Sequence, residues 1–369
     1  MMTEKRKQTE HMLIAHYQTY PQMQIRDMLK FLHQSACGCE HFVSNEEDAI
    51  KYIASEAQNT GENIAGKTTE LCAEQGGRTE PLDGEFCRVH LSWIKAGLAP
   101  KTLGRLFVLS AEPAENGKEV LEEKVAVFQE LVNKGRLPFD PAETGQEIAG
   151  WREAGYPPCR HTEHFRNTYV PAYRVIKKEY AMFLPLFLEV DRRRNQSQNV
   201  TLAIEGGSAS GKTTLSKLLE AVYSSTVLHM DDFFLRPQQR TPERLAQPGG
   251  NVDWERFLEE VLTPLKKRER INYRRFDCST FTIKPPVPLT PTKLTVVEGA
   301  YSMHPQLEGH YDLSVFLDVS PKLQESRIRK RNVPAMAERF FREWIPMERH
   351  YFEATDAKNR CDLVIEVSL

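Results

Sequence analysis

The sequence predicts two domains: an α/β domain on a mostly parallel sheet flanked by helices over residues 200–369, preceded by a mostly α-helical domain over residues 1–190. Three observations predict this. Apolar residues recur at helical spacing in the first half; short apolar runs alternate with helical segments in the second; and a glycine-rich turn joins the first of those runs to a helix.

In the first half, Ile25, Met28, Leu29 and Leu32 fall at i, i+3, i+4 and i+7, one face of a helix. Ser44 with Glu47 reads as a capping box ahead of Ala49, Ile50 and Ile53. The longest apolar run, Tyr180 to Val190, is interrupted by Pro185 and too short to span a bilayer. The stretch Asp191-Arg192-Arg193-Arg194-Asn195-Gln196-Ser197-Gln198-Asn199 has nothing apolar to bury and reads as the interdomain linker, 191–199. Beyond it, strands are expected at Val200–Ile204, Thr226–Met230, Leu294–Val297, Leu313–Leu317 and Leu363–Val367, with helices over Leu215–Val222 and Phe257–Leu265. No internal repeat or low-complexity block interrupts either half.

Composition narrows the class. At about 100 to 200 residues per domain, 369 residues suit two cores. Lys plus Arg is 49 and Asp plus Glu is 51, a net charge of -2, so neither nucleic acid nor an anionic membrane is an expected partner. Seven cysteines without regular spacing fit reduced thiols. Met1 to Lys7 is polar and leads to His11 and His16, so no export signal is expected and a cytoplasmic setting is.

Directly after Val200-Thr201-Leu202-Ala203-Ile204 comes Gly206-Gly207-Ser208-Ala209-Ser210-Gly211-Lys212-Thr213-Thr214, then Leu215, Leu218 and Leu219 at helical spacing. This is G-x-x-x-x-G-K-T, the P-loop, between a strand and a helix. The glycines let backbone N–H groups turn around phosphate oxygens, the helix offers its positive end, Lys212 neutralises β/γ charge and Thr213 can ligate Mg²⁺. ATP and Mg²⁺ are the expected cofactors. Functional groups of such a sheet gather beyond the carboxyl ends of its strands. Two acids arrive there: Asp231, opening Asp231-Asp232-Phe233-Phe234, suits proton acceptance from an attacking hydroxyl, and Glu298 suits holding Mg²⁺. Asp232 reads equally as a turn former, and His229 as a packed strand residue.

The series Gly206 to Thr214, Met230-Asp231-Asp232-Phe233-Phe234, Gly249-Gly250-Asn251-Val252-Asp253-Trp254, Val297-Glu298-Gly299-Ala300-Tyr301 and Arg327-Ile328-Arg329-Lys330-Arg331 resembles the uridine kinase-like branch of P-loop kinases, in the phosphoribulokinase/uridine kinase superfamily, over residues 200–369. The resemblance implies that Asp231 deprotonates a nucleoside 5′-hydroxyl, that Asp253 contacts the sugar, and that Arg327 and Arg331 stabilise the transferring phosphoryl group. For the arginines a solvated helix face is the competing reading. Phe233, Phe234, Trp254, Tyr273 and Phe276 either stack a base or pack a core. The chain departs from uridine kinases at Tyr273-Arg274-Arg275-Phe276-Asp277-Cys278-Ser279-Thr280, at Phe234, which replaces an aromatic hydroxyl, and at the short segment Asn332 to Arg339. The implied activity is phosphoryl transfer to a ribonucleoside. The alternatives are another hydroxylated metabolite (pantothenate, nicotinamide riboside or a sugar phosphate) and a nucleotide-dependent regulatory switch.

In the first half, Cys37-Gly38-Cys39-Glu40-His41, Cys87-Arg88-Val89-His90 and Cys159-Arg160-His161-Thr162-Glu163-His164 offer thiolate and imidazole donors but no C-x-x-C pair. Arg152, Arg160, Arg166 and Arg174, with Tyr169 and Tyr173, either clamp an anion or pair with surface acids. Helical packing that positions or regulates the second half is the remaining reading.

Overall fold

The structure describes residues 4–39, 45–59, 78–111 and 116–368. In this computed structural model the chain divides into two compact units, Met1–Leu184 and Pro185–Leu369.

The first unit contains α1 (Glu4–Thr19), α2 (Ile25–Cys37), α3 (Glu46–Asn59), β1 (Thr79–Pro81), β2 (Phe86–His90), α4 (Pro100–Leu109), α5 (Gly117–Asn133), α6 (Pro141–Glu153), α7 (Glu163–Tyr169) and β3 (Tyr173–Lys177). On α2 the residues Met28, Leu29 and Leu32 are buried, as their spacing requires. Its start is fastened by Asp27, whose Oδ2 accepts the Gln24 N–H at 3.0 Å. For α3 the capping side chain is Asn45, whose Oδ1 accepts the Asp48 N–H at 2.7 Å; Ser44 lies outside the described residues. The helical expectation needs one addition, a three-stranded antiparallel sheet in the order β1-β2-β3. All five residues of β2 are buried, so no alternation marks it in the sequence.

The stretch expected as a linker is largely helical. Residues 191–196 form the end of α8 (Leu184–Gln196), with Pro185 in its first turn. Asp191 is buried and accepts a hydrogen bond from the Tyr223 hydroxyl at 3.0 Å, while Arg193 donates to the Asp312 carbonyl. Polar composition misled here because Asp191 and Arg193 spend their polar groups on bonds within the second unit, which holds this stretch as part of a helix rather than a free connection.

The second unit carries β4 (Val200–Gly206), α9 (Lys212–Tyr223), β5 (Thr226–His229), β6 (Leu294–Glu298), β7 (Leu313–Val319), α10 (Pro321–Arg331), α11 (Ile345–Thr355) and β8 (Leu363–Val367). The five strands lie in the order β8-β7-β4-β6-β5 and every pairing is parallel, the P-loop-bearing α/β architecture expected. The central strands are buried almost end to end, which is why they read as continuous apolar runs. Register places the site: Glu298 pairs with both Ile204 and His229, so the P-loop, Asp231 and Glu298 emerge together beyond the carboxyl ends of the strands. Beside β5, the helical run Trp254–Phe257, Leu258–Leu262 and Thr263–Lys266 seals a core containing Phe233, Phe257, Tyr273 and Tyr351. Among the described residues no helix is long and apolar enough to cross a membrane.

Candidate functional site

The loop between β4 and α9 has the backbone that phosphate binding requires. Gly206 has φ +147°, and a Cβ there would lie 2.7 Å from the Leu317 carbonyl; Gly211 has φ +104°. Both positions need glycine, the first for space and conformation together, the second for conformation. The amides of Ala209, Gly211, Lys212 and Thr213 donate to nothing among the described residues, so the positive end of α9 opens on a row of unspent donors. Lys212 Nζ donates to the carbonyls of Gly206 and Gly207 at 2.8 and 2.9 Å, which folds the ammonium back over the loop. Ser210 is fully buried within it, and Thr214 faces outward on α9.

Two oxygens converge beside Lys212. The Thr213 hydroxyl donates to Glu298 Oε1 at 3.2 Å. A hydroxyl and a carboxylate so placed fit a hard divalent cation, and these two side chains would hold it. His229, expected as strand packing, belongs here instead: its ring is 42% exposed, and Nδ1 donates to the same Glu298 oxygen at 2.6 Å. That hydrogen bond raises the His229 pKa. Burial pushes Glu298 up, but the His229 hydrogen bond and the Lys212 charge outweigh it and hold the carboxyl below its ordinary range.

Asp231 follows β5 on a 3₁₀ turn, Met230–Phe233, which it does not cap. The residue is exposed on its turn, and its carboxylate has no protein hydrogen bond or ion pair among the described residues. The enclosing protein raises its pKa, Lys212 opposes and Glu298 adds to the rise. A carboxylate with open lone pairs and raised basicity, beside a phosphate loop, suits proton acceptance. Asp232 is half-buried; its carboxylate lies 3.6 Å from Arg275 Nε, and its backbone carbonyl accepts from Arg256.

The remaining sequence candidates divide. Arg327 on α10 reaches the loop, donating from Nη1 to the Ala209 carbonyl at 2.9 Å. Arg331 does not; its guanidinium lies 5.5 Å over the Phe340 ring on an exposed part of the helix. Asp253 is buried and committed: it caps the helix at Trp254 through the Arg256 N–H and takes a further bond from Gln239 Nε2 at 3.1 Å. At 3% exposure Asp253 offers little surface to a sugar. Tyr273 is 1% exposed and stacks on Phe233 in the core, Phe276 is buried, and Trp254 stacks on His304. Phe234 stays half-exposed at the site, its backbone bridged to Val252. Most of the aromatic group is therefore packing.

Sequence reading passed over three acceptors and donors around the loop. Glu205, fully buried at the end of β4, accepts from the N–H groups of Gly206, Tyr301 and Met303 and from the Tyr351 hydroxyl at 2.9 to 3.2 Å. Burial pushes its pKa up to about 7 against those four donors. Glu348 and Gln324 contact Ser208. Their partners lie over a hundred positions away, so no local spacing could announce them.

In the first unit the thiols of Cys39, Cys87 and Cys159 donate to backbone carbonyls, and burial pushes Cys87 up to about 12. Among the described residues no three His, Cys, Asp or Glu side chains gather as a metal cluster; Glu40 and His41 lie outside them. The four arginines do not converge. Arg152 pairs with Glu122, Arg174 with Glu56, and Arg160 and Arg166 are exposed. Tyr169 accepts the Gln22 N–H, while Tyr173 enters a buried network: Asp27 Oδ1 accepts from His161 Nδ1 at 3.0 Å, His161 Nε2 lies 2.7 Å from the Tyr173 hydroxyl, and Arg88 bridges Gln34 and Glu80.

No protein-family model matches the chain. Among solved structures it is similar to a possible uridine kinase from Bacillus stearothermophilus, at 22% identity and a TM-score of 0.36, covering 46% of this chain and 89% of that one. It is also similar to shikimate kinase from Acinetobacter baumannii in complex with shikimate (16%, TM-score 0.30, 48% and 88% covered) and to shikimate kinase from Bacteroides thetaiotaomicron (12%, TM-score 0.25, 45% and 86% covered). At such identities and TM-scores these likenesses say nothing of an acceptor.

Proposed function

We propose that this protein is an ATP- and Mg²⁺-dependent phosphotransferase acting on a hydroxyl of a small metabolite. One observation carries the reading: unspent amides at the start of α9, closed by Lys212, stand at the same carboxyl end of the sheet as Asp231, which has no partner among the described residues. The loop binds the triphosphate, Lys212 and Arg327 balance its charge, and Asp231 takes the acceptor proton. Mg²⁺, when bound, neutralises charge on the β- and γ-phosphates, and Thr213 and Glu298 are the residues to hold it. A regulatory switch has no use for an unsaturated base at this place.

A ribonucleoside 5′-hydroxyl is the first acceptor to try, from the motif series. Burial of Phe233, Tyr273 and Phe276 favours a second reading, a more compact polyol or vitamin alcohol, because those rings offer no open face for stacking a base. The test is ADP release from Mg-ATP across a panel of nucleosides, pantothenate and sugar phosphates. Release that depends on one acceptor supports the reading; acceptor-independent release points to a switch.

A further inference from the structure

Ser208, third residue of the phosphate loop, has all three of its polar groups engaged by side chains from the C-terminal helices. Glu348 on α11 accepts the Ser208 N–H with Oε2 at 2.9 Å and the Ser208 hydroxyl with Oε1 at 2.5 Å. Gln324 on α10 donates from Nε2 to the Ser208 carbonyl at 2.8 Å, and Arg327 holds the next carbonyl, that of Ala209. Glu348 and Gln324 are 6% and 8% exposed, so these bonds face little competition from water. Two features of the loop fit this grip. Gly207 does not have a positive φ; a Cβ there would come within 3.0 Å of Gln324 Nε2 and 3.4 Å of Glu348 Oε2, so glycine provides the space for the clamp. Ala209 is held at φ +60°, unfavourable for a residue with a Cβ, and packs against the small cluster of Ile328, Ala337 and Ile345.

We infer that Glu348 and Gln324 are positioning residues: they fix Ser208 and Ala209 from α10 and α11 so that the amides downstream face the phosphates. Neither touches the reacting atoms. The role rests on the nucleotide-binding reading. Its logic predicts a difference between two substitutions at one site. A glutamine at 348 can still accept the Ser208 N–H and donate its amide to the Ser208 oxygen, whereas alanine loses both bonds.

The test compares wild type, Glu348→Ala, Glu348→Gln, Gln324→Ala and Ser208→Ala in the full chain, by hydrogen exchange of the 206–211 amides without nucleotide and by calorimetric affinity for Mg-ATP. Glu348→Ala should speed exchange and weaken ATP by about tenfold or more, mainly through KM for ATP rather than kcat. Glu348→Gln should recover most of both, which a residue serving only general stability would not do. If Glu348→Ala fails to fold, Gln324→Ala carries the expectation in the same direction, and Ser208→Ala, which loses only the hydroxyl bond to Glu348, a smaller effect of the same sign. Unchanged loop exchange and unchanged ATP affinity in any of these folded loss variants would overturn the clamp. A wild type that does not bind ATP overturns the kinase reading instead, and the exchange comparison still decides whether the grip exists.

Discussion

Asp27 at the start of α2 and Asp231 at the end of β5 are treated oppositely by the fold. Asp27 is fully buried and receives donors from Gln24 N–H, His161 Nδ1, Thr162 N–H and the Thr162 hydroxyl at 2.8 to 3.0 Å. Burial pushes its pKa up, but His161 and the other donors outweigh that, and the carboxyl is held below its ordinary range. Asp231 receives no protein donor among the described residues, and its pKa is raised. The contrast separates a carboxylate whose bonding capacity is used up inside the structure from one that keeps it for something arriving from outside. A similar contrast holds between Glu80 of the first unit, bonded to Arg88 and His16, and Lys212, whose ammonium among the described residues donates to loop carbonyls alone.

Conservative substitution at each aspartate should break in different observables. Asp231→Asn is expected to lower kcat by about a hundredfold or more, the span for losing a general base, with nucleotide affinity and melting temperature little changed. Asp27→Asn should do the reverse: its amide NH2 would replace one of the two oxygens and face two of the four donors, costing about 3 kcal/mol or more of stability in chemical denaturation. The depressed pKa gives Asp27 a further signature. Its stabilisation is present above the ordinary aspartate value of 3.8 and lost as pH falls through the lower native one. For Asp231 the sign is opposite in kind: the base form is needed, the protonated form persists above pH 3.8 because the pKa is raised, and so the acid limb of kcat should lie above that value. Lys212, Glu298, His229 and Asp232 face this group, and Asp231→Asn should remove the limb from the residual activity. The smallest effect is expected at Arg331→Ala, whose contact with Phe340 is worth about 0.5 to 1 kcal/mol; turnover should stay within about twofold. A large loss there would mean that Arg331 moves onto the phosphates during the reaction.

What was legible in the sequence follows the range of the interactions. The five strands, α9 and the loop were readable because each is specified by neighbours in the chain: a buried parallel strand is a continuous apolar run, and the loop's glycines sit where the backbone requires them. Asp231 and Glu298 were readable because an acid ending such a run must emerge at the strand's carboxyl end. Asp253 shows the limit. Its place in a motif was visible, but its commitment to Gln239 and Arg256 depends on the fold of the 237–256 segment. Glu348, Gln324 and the paired state of His229 depend on contacts between distant elements. The antiparallel sheet of the first unit was hidden because β2 lacks alternation and carries Arg88, a residue that looks exposed until its partners are known.

The most direct test of the central claim is a calorimetric titration of Mg-ATP into the full chain and into Lys212→Ala. Saturable one-site binding to the wild type, weakened by at least about tenfold in the variant, is the predicted result. No binding to folded wild type, or equal binding to both, would contradict it.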